Sequence, residues 1–153
     1  MDSRLGGGPG TDAAGRQAIF DKAHADLTKE GKIGDHDIKF VNKFAVAQLD
    51  KNGNIVSTQT FPDVTAARAA ISANPSFAFI NGKTTLGRSS STVFAGATLS
   101  RRGRLNTSSG GLRPVNFTGA QNARFVILHE IKHGQGVRSE AEANRGALLR
   151  MGN

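Results

Sequence analysis

The amino-acid sequence predicts an α+β fold in which a small mixed or antiparallel sheet packs on one apolar helix, with further helices flanking it. Three observations lead there: helical periodicity near the N-terminus, alternating apolar residues in the middle, and two helix-capping patterns in the last third. With 153 residues the chain is long enough for one real core and short for two, so residues 11–153 read as a single domain. Residues 1–10, which include Gly6-Gly7-Gly8-Pro9-Gly10, read as a flexible leader.

Thr11 and Asp12 offer N-caps to a first helix that reaches about Glu30. Ile19, Phe20, Ala23 and Leu27 form its apolar stripe, and Gly31 ends it. From Asp37 to Leu49 the period changes to two, with Ile38, Phe40, Phe44 and Val46 on one face of a single strand. Asp50 to Asn54 turn the chain, and Ile55 to Phe61 return it as a β-hairpin. Pro62-Asp63 opens a short helix to about Ala73, closed by Asn74-Pro75. Ser76 to Ile80 reads as a strand, Asn81-Gly82 as a tight turn into Lys83 to Leu86, and Thr92 to Leu99 as a further strand.

Ser100 to Pro114 is polar and glycine-rich, carries Arg101, Arg102, Arg104 and Arg113, and reads as a loop. Val115 to Phe117 then serves as a connection. Thr118-x-x-Gln121 is a capping-box pattern, opening a helix through Phe125-Val126-Ile127-Leu128 to His133 that stops at Gly134. Ser139-x-x-Glu142 is a second such pattern, opening a last helix through Leu149.

Composition excludes several classes. No apolar run reaches bilayer length and the N-terminus has no apolar h-region, so neither a membrane span nor a secretory signal is expected. A cytoplasmic location and export by a signal-less route both remain. The absence of cysteine excludes disulfides and thiolate metal sites. A net charge of +8 is able to attract nucleic acid, an anionic membrane or an acidic protein, and equally serves solubility alone.

The sharpest signal is His129-Glu130-Ile131-Lys132-His133, an H-E-x-x-H on a capped apolar helix. Residues four apart share a helix face, so His129 and His133 aim their imidazoles at a common point, as two zinc ligands must. Glu130, one residue along, reaches a water activated by the metal without ligating the metal itself. That geometry suits a general base, which takes the proton of the water and passes it to a leaving amine.

With this motif and Glu140-Ala141-Glu142-Ala143-Asn144 on the next helix, the chain resembles the zincin metallopeptidases, and the gluzincin branch in particular. Residues 118–150 are similar to the ImmA/IrrE-type peptidases, whose helix carries a comparable E-x-E-A-N run. The resemblance implies a zincin-like fold and a zinc-dependent peptidase acting on proteins or peptides. It implies Glu140 as third ligand, with Glu142 second in rank because capping at Ser139 competes for it. Ala143, Asn144 and Ala147 share the face of Glu140, where small residues let two helices approach. The family lays an extended substrate along an edge strand, here Thr92 to Leu99 or the strand ending at Ile80.

The chain has no tyrosine, which many zincins use to stabilise an oxyanion, so that role falls to His24, His36, Arg138 or Arg145. The metzincin pattern also places a glycine at Gly136, but puts Ser139 at its third-ligand position and leaves Met151 to make its methionine turn. Small basic domains of this kind also resemble bacterial toxin or effector peptidases. Two other functions stay open: a basic nucleic-acid-binding module using Arg101, Arg102, Arg104 and Arg113, and a zincin-like domain that holds metal without turnover.

Overall fold

The first helix, α1 (Ala13–Lys29), begins where the Asp12 side chain accepts a hydrogen bond from the Gly15 amide at 2.8 Å. The computed structural model describes residues 12–107 and 111–151. The glycine-rich leader and the cap proposed at Thr11 lie outside the described residues. Phe20, Ala23 and Leu27 are buried along the expected stripe, and the Phe20 ring stacks on Phe40 with centroids 4.6 Å apart.

The long strand expected over 37–49 is two strands, β1 (Asp37–Val41) and β2 (Phe44–Leu49), in different sheets. The break at Asn42-Lys43 has a polar cause. Asn42 accepts from Arg16 Nε at 2.8 Å and donates to the Ala13 carbonyl at 2.7 Å, while the Lys43 carbonyl accepts from the Ala95 amide. These bonds draw the chain away from β1. Ile38 and Phe40 therefore pack on one core cluster, and Phe44 and Val46 belong to another.

β2 and β3 (Ile55–Phe61) form the expected antiparallel hairpin. Asp50 shapes the turn by accepting from the amides of Asn52 and Asn54, both at 2.9 Å. The helix α2 (Val64–Ala73), capped by Asp63, covers the sheet β3-β2-β4 that β4 (Phe77–Ile80) completes. Asn81-Gly82 is not a hairpin turn. β5 (Gly82–Thr84) leaves β4 and joins a separate sheet of order β1-β6-β5, where β6 (Ser90–Phe94) runs parallel to β1 and antiparallel to β5. The strand expected over Thr92 to Leu99 ends at Phe94, since Ala95–Thr98 wind into a 3-10 turn. β6 is also the central strand of its sheet, so it cannot be the substrate-binding edge; β4 is an edge.

The segment read as a loop is a second hairpin, β7 (Arg101–Thr107) against β8 (Gly111–Phe117). Leu105 and Thr107 are buried on its inner face. That alternation, together with cross-strand pairing, holds residues of weak β propensity in strands, and Val115 to Phe117 become part of β8 rather than a connection.

The helix α3 (Gly119–Gly134) occupies the centre. Its capping box forms in full, with Gln121 N to Thr118 Oγ1 at 3.2 Å and Thr118 N to Gln121 Oε1 at 2.9 Å. Phe125, Ile127, Leu128 and Ile131 are buried among residues of α1, β6, β7 and the last helix, α4 (Glu140–Arg150). Asn122, also buried, donates to the Leu99 carbonyl at 3.0 Å and so ties α3 to the 3-10 turn. Arg124 grips Glu30 through two bonds of 2.9 and 3.0 Å, fastening α3 to the end of α1.

No helix among the described residues is long and apolar enough to cross a membrane. Ile127 has no exposed surface, so Ile127→Ala is expected to lower unfolding stability by roughly 2–5 kcal/mol in urea titrations. A loss below about 1 kcal/mol would deny α3 its place at the centre of the core.

Candidate metal centre

α3 carries His129 and His133 one turn apart, with Nε2 to Nε2 at 3.1 Å and the rings edge to face. The end of the helix determines what joins them. The Gly136 amide bonds the His133 carbonyl and the Val137 amide bonds the Lys132 carbonyl, each at 3.0 Å. Gly136 has φ of +96°. This is a Schellman closure, and its left-handed position favours glycine. It reverses the chain within a few residues, so a glutamate only seven positions beyond His133 returns to the histidines.

Ser139 caps α4 by accepting from the Glu142 amide at 3.2 Å. Glu140 then stands in the first turn of α4, where the helix dipole favours a carboxylate. Its Oε1 lies 3.0 Å from His129 Nε2 and its Oε2 2.9 Å from His133 Nε2. His129, His133 and Glu140 thus form a group able to hold a metal ion, with ligand atoms all within 4.8 Å of one another. Tetrahedral zinc with ligands at about 2.1 Å separates them by about 3.4 Å. The two imidazole nitrogens, 3.1 Å apart, need only a few tenths of an ångström of opening, and two imidazoles with one carboxylate suit that ion.

The same turn orients one of the imidazoles. His133 Nδ1 lies 2.7 Å from the Val137 carbonyl, which accepts its proton, so that Nε2 is the nitrogen a metal would take up in place of a proton. His129 Nδ1 is buried without a hydrogen-bond partner.

Without metal, Glu140 and the histidines bind one another. Hydrogen bonds from His129 and His133 hold the Glu140 carboxyl well below the usual carboxylate range. Glu140 in turn raises His133 to about 9, with the Val137 carbonyl adding to the rise and burial opposing it.

Glu130 lies beside this group, buried to 4% exposure. Its Oε2 is 4.0 Å from His129 Nε2, and its Oε1 accepts from Thr84 Oγ1 at 2.7 Å. Burial pushes the Glu130 carboxyl up, against the pull of His129 and the Thr84 hydroxyl. A carboxylate of raised proton affinity takes up a proton more readily than an ordinary one. Gly82 makes room for it: a Cβ there would stand 2.6 Å from Glu130 Oε2 and 2.7 Å from its Cγ. Gly82 and Thr84 lie two residues apart on one strand, so one face of β5 offers both the gap and the hydroxyl.

His129, Glu130, Glu140 and Gly82 line a cavity of about 260 Å³ together with Phe79, Ile80, Phe125 and Arg101. The Arg101 guanidinium sits 6.0 Å from the Phe125 ring centroid, and burial pulls it below its ordinary proton affinity. Among the other arginines of the hairpin, Arg102 and Arg104 are exposed on the opposite face. Arg113 is exposed and pairs with Leu105. The four do not form one stripe.

The structure does not bring the expected oxyanion groups to this cavity. His24 stacks on Phe20 on α1, with centroids 5.8 Å apart. His36 is buried elsewhere, 2.7 Å from Ser91 Oγ. Arg138 is exposed in the α3–α4 turn, and Arg145 lines a different cavity with Thr107 and Leu148. Glu142 is exposed and stands outside the metal group. Ser139 is engaged as a cap, and Met151 packs against the core directly after α4. Sequence reading passed over Gly82, Thr84 and the inward turn of Arg101, because each meets α3 only through long-range packing.

No family model, curated protein or solved structure matches the chain.

The metal-free cluster has a defined pH signature. Raised His133 contributes stability that is complete below its ordinary value of 6.5 and lost as pH rises through about 9. Depressed Glu140 contributes stability present above 4.5 and lost as pH falls. Denaturation in EDTA should therefore show stability declining from pH 6.5 to 9, a decline that Glu140→Gln removes. Zinc competes with the His133 proton, so its affinity should climb over the same interval in competition titrations. A pH-independent affinity would contradict the His133–Glu140 pairing.

Proposed function

We propose that the protein is a zinc-dependent metallopeptidase of zincin type, gluzincin-like in using Glu140 as its third ligand. One observation carries this reading: His129, His133 and Glu140 converge on a point beside a buried, unligated carboxylate, Glu130, at the wall of an open cavity. A site that only stores metal has no need of that fourth group in its buried and proton-avid setting.

Zinc held by these residues supplies Lewis acidity, which acidifies a water and polarises a scissile carbonyl. Glu130 accepts the proton of the attacking water at Oε2, the oxygen nearer His129, while Thr84 holds Oε1. It later delivers that proton to the leaving amine. Arg101 is the arginine lining the cavity among the described residues, and it is placed to offset negative charge developing on the carbonyl oxygen. β4 ends at this cavity with Phe79 and Ile80 and is an edge strand, so an extended peptide finds open backbone groups beside the metal.

Glu130→Gln should keep zinc at wild-type stoichiometry and lower peptide hydrolysis by roughly 10²–10⁴-fold, measured with metal analysis and a quenched peptide library. Zinc bound with equal hydrolysis in both proteins would remove Glu130 from the chemistry. Wild-type protein that takes up no zinc at pH 7.5 ends the proposal. Gly82→Ala should also lower turnover while leaving zinc in place, because a Cβ displaces the Glu130 carboxylate and not the ligands.

A further inference from the structure

A line of hydrogen bonds runs from Glu130 over one face of the sheet β1-β6-β5 to a histidine at its other edge. Thr84 Oγ1 lies 2.7 Å from Glu130 Oε1, Ser91 Oγ lies 2.5 Å from Thr84 Oγ1, and His36 Nε2 lies 2.7 Å from Ser91 Oγ. Thr84 and Ser91 are direct cross-strand partners in the β5–β6 register, so their hydroxyls share one face of the sheet. Ser91 is 3% exposed and His36 8%. His36 lies just before β1, which runs beside β6 with Ile38 opposite Ser91. It is pressed against α3 at Gly134, where no side chain would fit beside its ring.

The order of donors in this line follows from counting protons. An ionised carboxylate only accepts, so Thr84 commits its single hydroxyl proton to Glu130. Its contact with Ser91 is then one in which Ser91 donates. Ser91 in turn has no proton left for His36, so His36 Nε2 carries the hydrogen and donates to Ser91 Oγ. Each link satisfies the next, and the buried Ser91 hydroxyl cannot rotate without leaving an unpaired polar group.

We infer that His36, Ser91 and Thr84 are positioning residues that hold the Glu130 carboxylate in its working orientation through a one-way hydrogen-bond chain. The inference rests on the reading of Glu130 as the general base. It gives His36 a part in the reaction from the other edge of the sheet, without contact with substrate or metal. Gly82 fixes where the carboxylate lies, and the hydroxyl chain fixes its rotation. A carboxylate turned about its last bond presents Oε2 at a wrong angle to water, a fault that lowers turnover without weakening substrate binding.

The test compares kcat, KM, zinc content and thermal unfolding of Thr84→Val, Ser91→Ala and His36→Leu with those of Thr84→Ser and His36→Gln. In parallel, long-range 1H–15N NMR of the wild-type protein reads the protonated nitrogen of His36. Removing a link should lower kcat by roughly 10–100-fold, the usual effect of losing an outer-shell partner, with KM and zinc content unchanged. The conservative pair should restore kcat toward wild type, because each replaces the donor at the same place. His36 should carry its proton on Nε2. Equal losses in conservative and disruptive variants, or loss of zinc in step with kcat, would assign these residues to packing alone and overturn the inference. A His36 protonated on Nδ1 would also overturn it, since the chain would then run the other way. Should wild type hydrolyse no peptide, the peptidase reading fails by itself, and the His36 tautomer still decides the direction of the chain.

Discussion

The carboxylate of Glu140 lies within 3.0 Å of the Nε2 atoms of both His129 and His133, and the arrangement of the site depends on that contact. It is not secured by burial, since 74% of the Glu140 side chain is exposed. It is secured by the backbone. A Schellman closure at Gly136 turns the chain, Ser139 starts a new helix at once, and Glu140 falls in the first turn of that helix. The small residues Ala143 and Ala147, fully buried, let α4 approach α3 closely enough for the contact to form. The same closure delivers the Val137 carbonyl to His133, so one turn sets both the third donor and the tautomer of the second.

Two structural units divide the chemistry of the site. α3 and α4 assemble the His129–His133–Glu140 group, whereas β5 and β6 hold the Glu130 carboxylate. Glu130 stands one residue from His129, so in the proposed reaction α3 carries both a ligand and the base that must not become one. The sheet keeps those roles apart. It receives the carboxylate in the gap at Gly82, bonds one oxygen to Thr84, and leaves the other 4.0 Å from His129 Nε2. Burial there raises the proton affinity of Glu130, while hydrogen bonds from two imidazoles lower that of Glu140. Two glutamates near one metal group therefore differ in opposite directions, a separation that suits one for proton transfer and the other for ligation.

Much of this was legible in the sequence where the cause is local. The capping box at Thr118 and the H-E-x-x-H spacing depend on residues within a few positions of one another, and both take the predicted form. Glu140 was reached by resemblance alone, and the turn at Gly136 that returns it to the histidines is a feature of the fold. The break at Asn42 was not legible, because Ile38, Phe40, Phe44 and Val46 stay in phase across it. What separates the strands is a contact with Arg16 on α1. The hairpin β7–β8 was hidden by glycine, proline and arginine in segments that only pairing makes extended. Thr84 and Ser91 are ordinary strand hydroxyls in sequence, and only the β5–β6 register sets them side by side.

Two imidazoles and one carboxylate, brought together by a single turn, form the proposed zinc site. X-ray absorption spectroscopy of the zinc-loaded protein reads that shell directly. The account predicts two imidazole nitrogens at about 2.0–2.1 Å with oxygen completing a four-coordinate shell. In Glu140→Ala both imidazoles should persist while the carboxylate oxygen is lost and zinc binds more weakly. A shell of oxygen alone, without imidazole scattering, would contradict the account, as would a spectrum that Glu140→Ala leaves unchanged.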